Sequence, residues 1–276
     1  MKAALYTRSS ELQDNTRFVA LLDRLAQAGF ETYPMQTADD VRPQTDLVLS
    51  VGGDGTFLSA SKRVGRSGIP ILGVNLGRLG FLSEYSPEEV ACDLPAGRYT
   101  LEDRALLETH IEGHVLQEGS SFWPYTLNEV SVHRGGAAIL GVDVRIDGNP
   151  LPTYWADGLL VSTSSGSTAY SLSVGGPICI PDAKVLIIAP IAPHNLNVRP
   201  LIVPDTTEIT LSMQSRNGQV MCTMDNRNLI LSPSAILHVK VAQFSLKRVR
   251  LEKSNFIKAL TTKLFWGGDV RNGRDL

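Results

Sequence analysis

The chain has 276 residues, 43% of them hydrophobic and 20% charged, which suits one large globular domain or two of medium size. Its formal net charge of −2 carries no basic excess, which argues against a nucleic-acid or membrane-surface partner. Its three cysteines lie far apart without a Cys-x-x-Cys pair, which argues against a zinc cluster or a disulfide framework.

The first hundred residues alternate between strand-like and helix-like segments. Residues 1–6 run straight into a strand pattern, without the apolar core and cleavage site of a secretory signal. Apolar side chains recur at helical spacing over residues 18–25, and short buried-strand patterns follow at residues 47–51 and 69–74. Residues 86–89, Ser-Pro-Glu-Glu, have the form of a helix start with a capping box. This alternation predicts a parallel sheet with helices packed on it.

The second part of the chain has a different apolar period. Residues 140–146 alternate between apolar and other side chains and are followed by Asp147-Gly148, a hairpin signal. The same two-residue period returns at residues 208–211 and 236–241. These segments predict antiparallel strands joined by turns.

The change of period divides the chain into three predicted segments. Residues 1–100 form an α/β domain with a Rossmann-like parallel sheet and helices, and residues 101–245 form an all-β, mainly antiparallel domain. Residues 246–276 hold a last helix, which we expect to pack back on the N-terminal domain. The side chains predicted to share the apolar face of this helix are Phe256, Ile257, Leu260 and Leu264.

A glycine-rich loop, Gly52-Gly53-Asp54-Gly55, follows the predicted strand 47–51 and opens a helix. Glycines let backbone N–H groups approach phosphate oxygens, and the N-terminus of the helix favours an anion. An acid in such a loop would repel phosphate unless it bound a metal or took a proton from an attacking hydroxyl. The alternative is a tight turn in which Asp54 only caps the helix. The loop is neither a Walker A motif nor the G-x-G-x-x-G fingerprint.

The loop sequence, residues 52–58, resembles one shared by NAD kinases, diacylglycerol and sphingosine kinases and, more loosely, phosphofructokinases. Further stretches resemble the bacterial type of the NAD kinase family and not the lipid kinases. In chain order these stretches are residues 73–82 (Gly-Val-Asn-Leu-Gly-Arg-Leu-Gly-Phe-Leu), Leu127-Asn128-Glu129-Val130, residues 156–177 with Gly-Ser-Thr-Ala-Tyr-Ser inside them, residues 190–194 and Arg199-Pro200.

The resemblance implies an enzyme that moves the γ-phosphoryl group of ATP, or of polyphosphate, to the 2′-hydroxyl of the adenosine ribose of NAD, giving NADP. It makes residues 101–245 the dinucleotide-binding domain and Asp54 the general base. The residues expected to bind the substrates are Gly52, Gly53, Asp54, Gly55, Asn128, Glu129, Asp157, Thr168, Ala169, Tyr170, Ser171, Leu172, Ser173, Ala192 and Arg227. Among them Tyr170 offers a ring on which a base can stack.

The resemblance also implies partners. A divalent cation, Mg²⁺ with ATP, is expected as cofactor, although the sequence shows no dedicated protein ligands for a metal. Relatives form dimers or tetramers, so we expect a homo-oligomer. Since the strongest apolar run, residues 185–192, is too short to span a bilayer, we expect a cytoplasmic protein with no membrane or nucleic-acid partner.

Three positions depart from the family pattern. Ser164-Ser165 stand where many members have Pro-Thr, and Trp155 stands near an expected basic residue. Residues 225–227, Asp-Asn-Arg, stand where most members have Asp-Gly-Gln. Our hypothesis is that Arg227 supplies the phosphate-attracting charge that Trp155 lacks.

Two other functions are open at the level of sequence. A lipid kinase would share the glycine loop, but it should need a long apolar pocket, and the hydroxyl-rich stretch 162–173 argues against one. A non-catalytic sensor would bind NAD without making NADP.

Overall fold

The computed structural model describes residues 1–8, 11–77, 80–113 and 122–264. It separates into two compact units. Unit 1 joins Met1–Asp103 to the segment from Leu246 onward, and unit 2 is Arg104–Ser245.

The elements of the described residues are as follows. The helices are α1 (Thr16–Gln27), α2 (Asp54–Val64), α3 (Pro87–Asp93), α4 (Tyr170–Ser173) and α5 (Phe256–Leu264), with 3₁₀ turns at Glu11–Asp14, Ala38–Asp40 and Ser165–Thr168. The strands are β1 (Lys2–Thr7), β2 (Glu31–Pro34), β3 (Leu47–Val51), β4 (Ile71–Val74), β5 (Tyr99–Arg104), β6 (Leu107–Glu112), β7 (Tyr125–Thr126), β8 (Glu129–Arg134), β9 (Leu140–Ile146), β10 (Asn149–Pro150), β11 (Tyr154–Ala156), β12 (Gly158–Thr163), β13 (Val185–Ile191), β14 (Leu201–Pro204), β15 (Ile209–Gln214), β16 (Val220–Met224), β17 (Arg227–Leu231), β18 (Ile236–Val241) and β19 (Leu246–Leu251). None of these helices is long and apolar enough to cross a membrane.

Unit 1 is built on a sheet with strand order β2-β1-β3-β4-β19-β5. The pairs β1–β2, β1–β3, β3–β4 and β4–β19 are parallel. Every residue of β3 is buried, as expected of a central strand covered on both faces. Helix α1 buries Phe18, Leu21 and Leu25 and is capped by Asn15, whose side chain accepts two backbone N–H groups. The predicted α/β domain is confirmed.

Two local predictions are also confirmed. Ser86 and Glu89 form a reciprocal capping box at the start of α3, with N–H to oxygen distances of 3.2 and 2.8 Å. Asp147 and Gly148 have φ values of 49° and 80° and join β9 to β10 as a two-residue hairpin turn.

Unit 2 consists of two antiparallel sheets. One has the order β10-β9-β15-β18-β6-β7 with β11 paired to β9, and the other has the order β14-β13-β12-β8-β16-β17. One hydrophobic cluster draws on both sheets, for example Val142 and Leu211 from the first and Val130 and Leu159 from the second. The predicted antiparallel, all-β fold is confirmed, and it accommodates one short helix, α4.

The predicted buried face of α5 is wrong in part. Ile257 is 61% exposed, whereas Ala259 is buried. Phe256 faces inward and its ring centre lies 6.2 Å from that of Phe81. Lys263, seven residues further on, points the same way, because it contacts Gly80. The spacing of apolar residues predicted Ile257 on the buried face. That prediction did not allow for Lys263 pointing inward.

Candidate functional site

The glycine loop of unit 1 connects β3 to α2. Gly52 has φ 147° and a β-carbon there would lie 2.5 Å from the Thr56 hydroxyl oxygen, so the position requires glycine. Gly53 is the N-cap of α2, and no side chain caps this helix end. Gly53 and Gly55 are exposed, and a β-carbon at Gly53 would meet open space. This end of α2 therefore presents backbone to solvent, as an anion site needs.

Asp54 is the first residue of α2, and its carboxylate lies against the loop that follows β4. Its Oδ2 accepts the N–H of Phe81 at 2.9 Å, and its Oδ1 accepts those of Leu82 at 3.0 Å and Ser83 at 2.9 Å. A β-carbon on Gly80 would overlap the carboxylate. Asp54 remains partly exposed, so an oriented carboxylate is accessible beside the start of α2.

The 80–83 loop, residues Gly80 to Ser83, is fixed from behind by Asn75. The Asn75 amide donates to the Ser83 carbonyl at 3.0 Å and accepts the N–H of Gly77 at 2.7 Å. These contacts use the family-like stretch 73–82, of which Arg78 and Leu79 lie outside the described residues. The stretch therefore holds in place the backbone N–H groups that donate to the Asp54 carboxylate.

In unit 2, Asn128 and Glu129 are buried at the start of β8. Asp225, in the turn between β16 and β17, accepts the N–H groups of Leu127 at 2.9 Å and Asn128 at 2.8 Å. The Glu129 carboxyl receives the backbone N–H of Tyr170. Burial, and then the charge of Asp225, raises the pKa of Glu129 to about 8. Glu129 is therefore mostly protonated at pH 7 and can donate a hydrogen bond.

Three buried polar atoms of this region lack a hydrogen-bond partner among the described residues. They are Asn128 Oδ1, Glu129 Oε2 and Ser171 Oγ. A buried polar atom without a partner is costly, and a ligand that supplies hydroxyl or amide groups removes the cost. The cluster is suited to a polar ligand.

The hydroxyl-rich stretch 162–173 has two roles. Ser162 and Thr163 bond to the Asn128 and Leu127 carbonyls, and Ser167 bonds to Cys179, so these side chains are structural. The predicted binding residues further along differ in exposure: Ser171 is fully buried, Thr168, Ala169, Tyr170 and Leu172 are half-buried, and Ser173 is exposed.

Tyr170 and Asp157 are oriented by neighbours on β8. The Tyr170 ring stacks on His133 with centres 5.9 Å apart, and burial lowers the pKa of His133. Asp157 forms an ion pair with Arg134 at 2.7 Å, and its N–H donates to the Ile191 carbonyl. Ala192 follows directly with φ 46°, so Asp157 and Ala192 lie together at one end of the β12–β13 pair.

Arg227 lies at the start of β17, next to the Asp225 turn. Its guanidinium donates to the carbonyls of Trp123 at 2.5 Å and Tyr125 at 2.6 Å, and burial lowers its pKa. These bonds hold the strand that leads to Asn128. Its role in ligand binding stays a prediction, as does its compensation for Trp155, which is 39% exposed.

Sequence reasoning missed Asp225, His133 and Lys263 as parts of these sites. Asp225 was noted only as the first residue of the stretch compared with the family's Asp-Gly-Gln, and its φ of 51° places it in a turn. The contacts of His133 and Lys263 are long-range and leave no local signal. No group of three or more His, Cys, Asp or Glu side chains in the described ranges is arranged to hold a metal ion.

Comparison with known proteins assigns both units to one family of sequences. Residues 7–97 match the ATP-NAD kinase N-terminal domain, and residues 127–251 match the ATP-NAD kinase C-terminal domain. An NAD kinase of Bacteroides fragilis is 43% identical over 237 residues, which cover 84% of this chain and 80% of the relative. An NAD kinase of Cytophaga hutchinsonii is 40% identical over 276 residues, which cover 97% of this chain and 92% of the relative.

Solved structures show the same fold. Yeast NADH kinase complexed with NADH superposes with a TM-score of 0.85 at 23% identity, covering 99% of this chain and 90% of that one. An NAD kinase from Archaeoglobus fulgidus in complex with ATP superposes with a TM-score of 0.75 at 23% identity, covering 92% and 95%.

Proposed function

The chain belongs to the NAD kinase family, as its loop sequences predicted, and we propose that it transfers the γ-phosphoryl group of ATP to the adenosine ribose 2′-hydroxyl of NAD. The observation that carries this proposal is the oriented, accessible carboxylate of Asp54 beside the glycine-lined start of α2. The yeast relative was crystallised with NADH and the archaeal one with ATP, which supports both substrate classes.

The reaction needs a base and a site for phosphate charge. The 2′-oxygen attacks the γ-phosphorus, the bond from that phosphorus to the bridging oxygen breaks, and ADP leaves. The proton of the hydroxyl passes to Asp54 Oδ2, which receives one N–H and so keeps a lone pair for it. The backbone amides at the start of α2 face the phosphate groups of the donor.

A divalent cation accompanies the donor in this proposal. The carboxylate of Asp54 is a hard oxygen donor of the kind that Mg²⁺ prefers, and it is the side chain of the glycine loop that would help to hold the ion. When bound with the nucleotide, Mg²⁺ neutralises phosphate charge. The protein itself orients the Asp54 carboxylate and the backbone N–H groups at the start of α2.

Unit 2 supplies the dinucleotide contacts. Neutral Glu129 donates from Oε2, the atom without a partner among the described residues, while Asn128 Oδ1 accepts from the ligand. Tyr170 provides the stacking surface for a base, held in orientation by His133. Two further predicted residues, Asp157 and Ala192, lie at the neighbouring strand ends.

The test is direct. Purified protein is incubated with NAD, ATP and Mg²⁺, and NADP is read with a coupled dehydrogenase. Steady NADP formation supports the kinase, whereas NAD binding without NADP would make the chain a sensor. Parallel reactions with sphingosine or diacylglycerol examine the lipid-kinase alternative, and polyphosphate in place of ATP identifies the donor. Sedimentation of the same sample tests the proposed homo-oligomer.

A further inference from the structure

We propose that Lys263, near the end of α5, is a positioning residue for catalysis that orients Asp54 through the Gly80–Phe81 peptide group. The inference rests on the proposed function, because it takes Asp54 as the base. Lys263 lies outside the glycine loop and outside the stretches that resemble the family.

The contacts of Lys263 converge on the 80–83 loop. Its Nζ donates to the Gly80 carbonyl, lies 3.7 Å from Glu84 Oε2, and lies 5.0 Å from the centre of the Phe81 ring. Its side chain is only 10% exposed. An ammonium group buried to this extent, with two partners on the 80–83 loop and a third at Glu84 next to it, is held in a single orientation.

One peptide group joins Lys263 to Asp54. The carbonyl of Gly80 and the N–H of Phe81 belong to the same planar unit and point in opposite directions. Lys263 binds the carbonyl end, and Asp54 Oδ2 accepts the N–H end at 2.9 Å. The lysine therefore fixes the rotation of the peptide that fixes Oδ2. The positive charge on the carbonyl also polarises the N–H and strengthens its bond to the carboxylate.

The far end of the loop has further anchors besides Lys263. Glu84 accepts from Arg248 at 2.6 Å and from Ser254 at 2.7 Å, and Arg248 lies 3.5 Å from the Leu82 carbonyl. With this anchor in place, loss of Lys263 should free the Gly80–Phe81 peptide without unfolding the loop. Burial lowers the pKa of Lys263, but the charges of Glu84 and then Asp54 oppose that shift.

The experiment compares Lys263→Met, which keeps the apolar stem, with Lys263→Arg, which keeps charge and donors. We expect Lys263→Met to lower kcat by 10-fold or more. KM for NAD and ATP should stay within about twofold, since no substrate contact is lost. Lys263→Arg should recover most of kcat. The turnover is expressed per NAD-binding site counted by calorimetry, so a loss of folded protein does not enter kcat.

The matched control is Lys258→Met on the same helix, where the lysine is exposed. It should keep wild-type kcat. An equal loss in both variants, a raised KM with normal kcat, or wild-type turnover in Lys263→Met would overturn the proposal. If Lys263→Met does not fold, Lys263→Gln replaces it with the same expectations.

A double variant separates this inference from the proposed function. If Lys263 acts through Asp54, Lys263→Met should lower the residual turnover of Asp54→Asn by less than twofold. Full additivity refutes the route through Asp54. A wild-type protein that forms no NADP refutes the proposed function instead. An active Asp54→Asn variant refutes the role of Asp54 as the general base.

Discussion

The two candidate sites each contain an acid, and the two acids have contrasting surroundings. Asp54 in unit 1 accepts three backbone N–H bonds and stays partly exposed. Glu129 in unit 2 is buried, receives one backbone N–H, and has its pKa raised to about 8 by burial and then by Asp225. Burial and the charge of Asp225 set the protonation of Glu129, whereas backbone N–H donors set the orientation of the Asp54 carboxylate. In the proposed reaction Asp54 takes a proton, and Glu129 donates a hydrogen bond to the ligand.

The largest effect is expected from removing the basic oxygen of Asp54. Asp54→Asn keeps the size of the side chain but cannot take a proton, so kcat should fall on the order of 10²–10⁴-fold. Circular dichroism and calorimetric NAD binding should match those of the wild type. A variant with near-normal kcat would show that Asp54 is not the base, and the contrast between the two acids would fail.

A smaller loss of kcat is expected when Asp54 is kept but a neighbouring side chain is enlarged against its carboxylate. A β-carbon on Gly80 overlaps the Asp54 carboxylate, so Gly80→Ala should displace it and lower kcat roughly 10- to 100-fold. Gly77→Ala, in the same stretch 73–82 but with open space around the added carbon, is the control. Equal kcat values for the two variants would show that the position of Asp54 is not critical.

In unit 2 the effect should fall on binding. Asn128→Ala removes a buried acceptor that has no partner among the described residues, so KM for NAD should rise up to about tenfold with kcat little changed. Steady-state kinetics at saturating ATP measure both constants. Ser212→Ala, on β15, removes a hydroxyl outside this cluster and should leave KM unchanged. A fall in kcat alone would move Asn128 into the catalytic step.

The sequence predicted the secondary-structure elements better than it predicted the hydrogen-bond partners of the site residues. The strands 47–51 and 140–146, the Ser86 capping box and the Asp147-Gly148 hairpin depend on neighbours in the chain, and all are present. The hydrogen bonds to Asp54 come from residues 27 to 29 positions away, and those to Asp225 from 96 to 98 positions away. Local periodicity carries no information on such contacts.

The return of the chain to unit 1 shows the same limit. β19 pairs with β4 in parallel although the whole of unit 2 separates them in sequence. Residues 246–276 were expected to carry a helix that packs back, and the strand before that helix was not expected. Within Leu246–Leu251 only the last three residues, Val-Arg-Leu, alternate, so the sequence gives a weak strand signal and does not identify the sheet.

The smallest effect is a pH dependence of stability that comes from Glu129. Its pKa is 4.5 in an ordinary setting and about 8 in the folded protein. Between these values the native state holds a proton that the unfolded chain has released, so the free energy of unfolding falls as pH rises. The slope from this group is at most about 1.4 kcal/mol per pH unit.

Glu129→Gln keeps the hydrogen-bonding shape without the titration. Its urea unfolding free energy should therefore fall less than that of the wild type between pH 5 and pH 8, with about 1.4 kcal/mol less loss per unit as the upper limit. Asp225 also has its pKa raised by burial, so some slope of the same sign should remain in the variant. Parallel curves for wild type and Glu129→Gln would mean that Glu129 is ionised in the fold, and unit 2 would then offer the ligand an acceptor where we propose a donor.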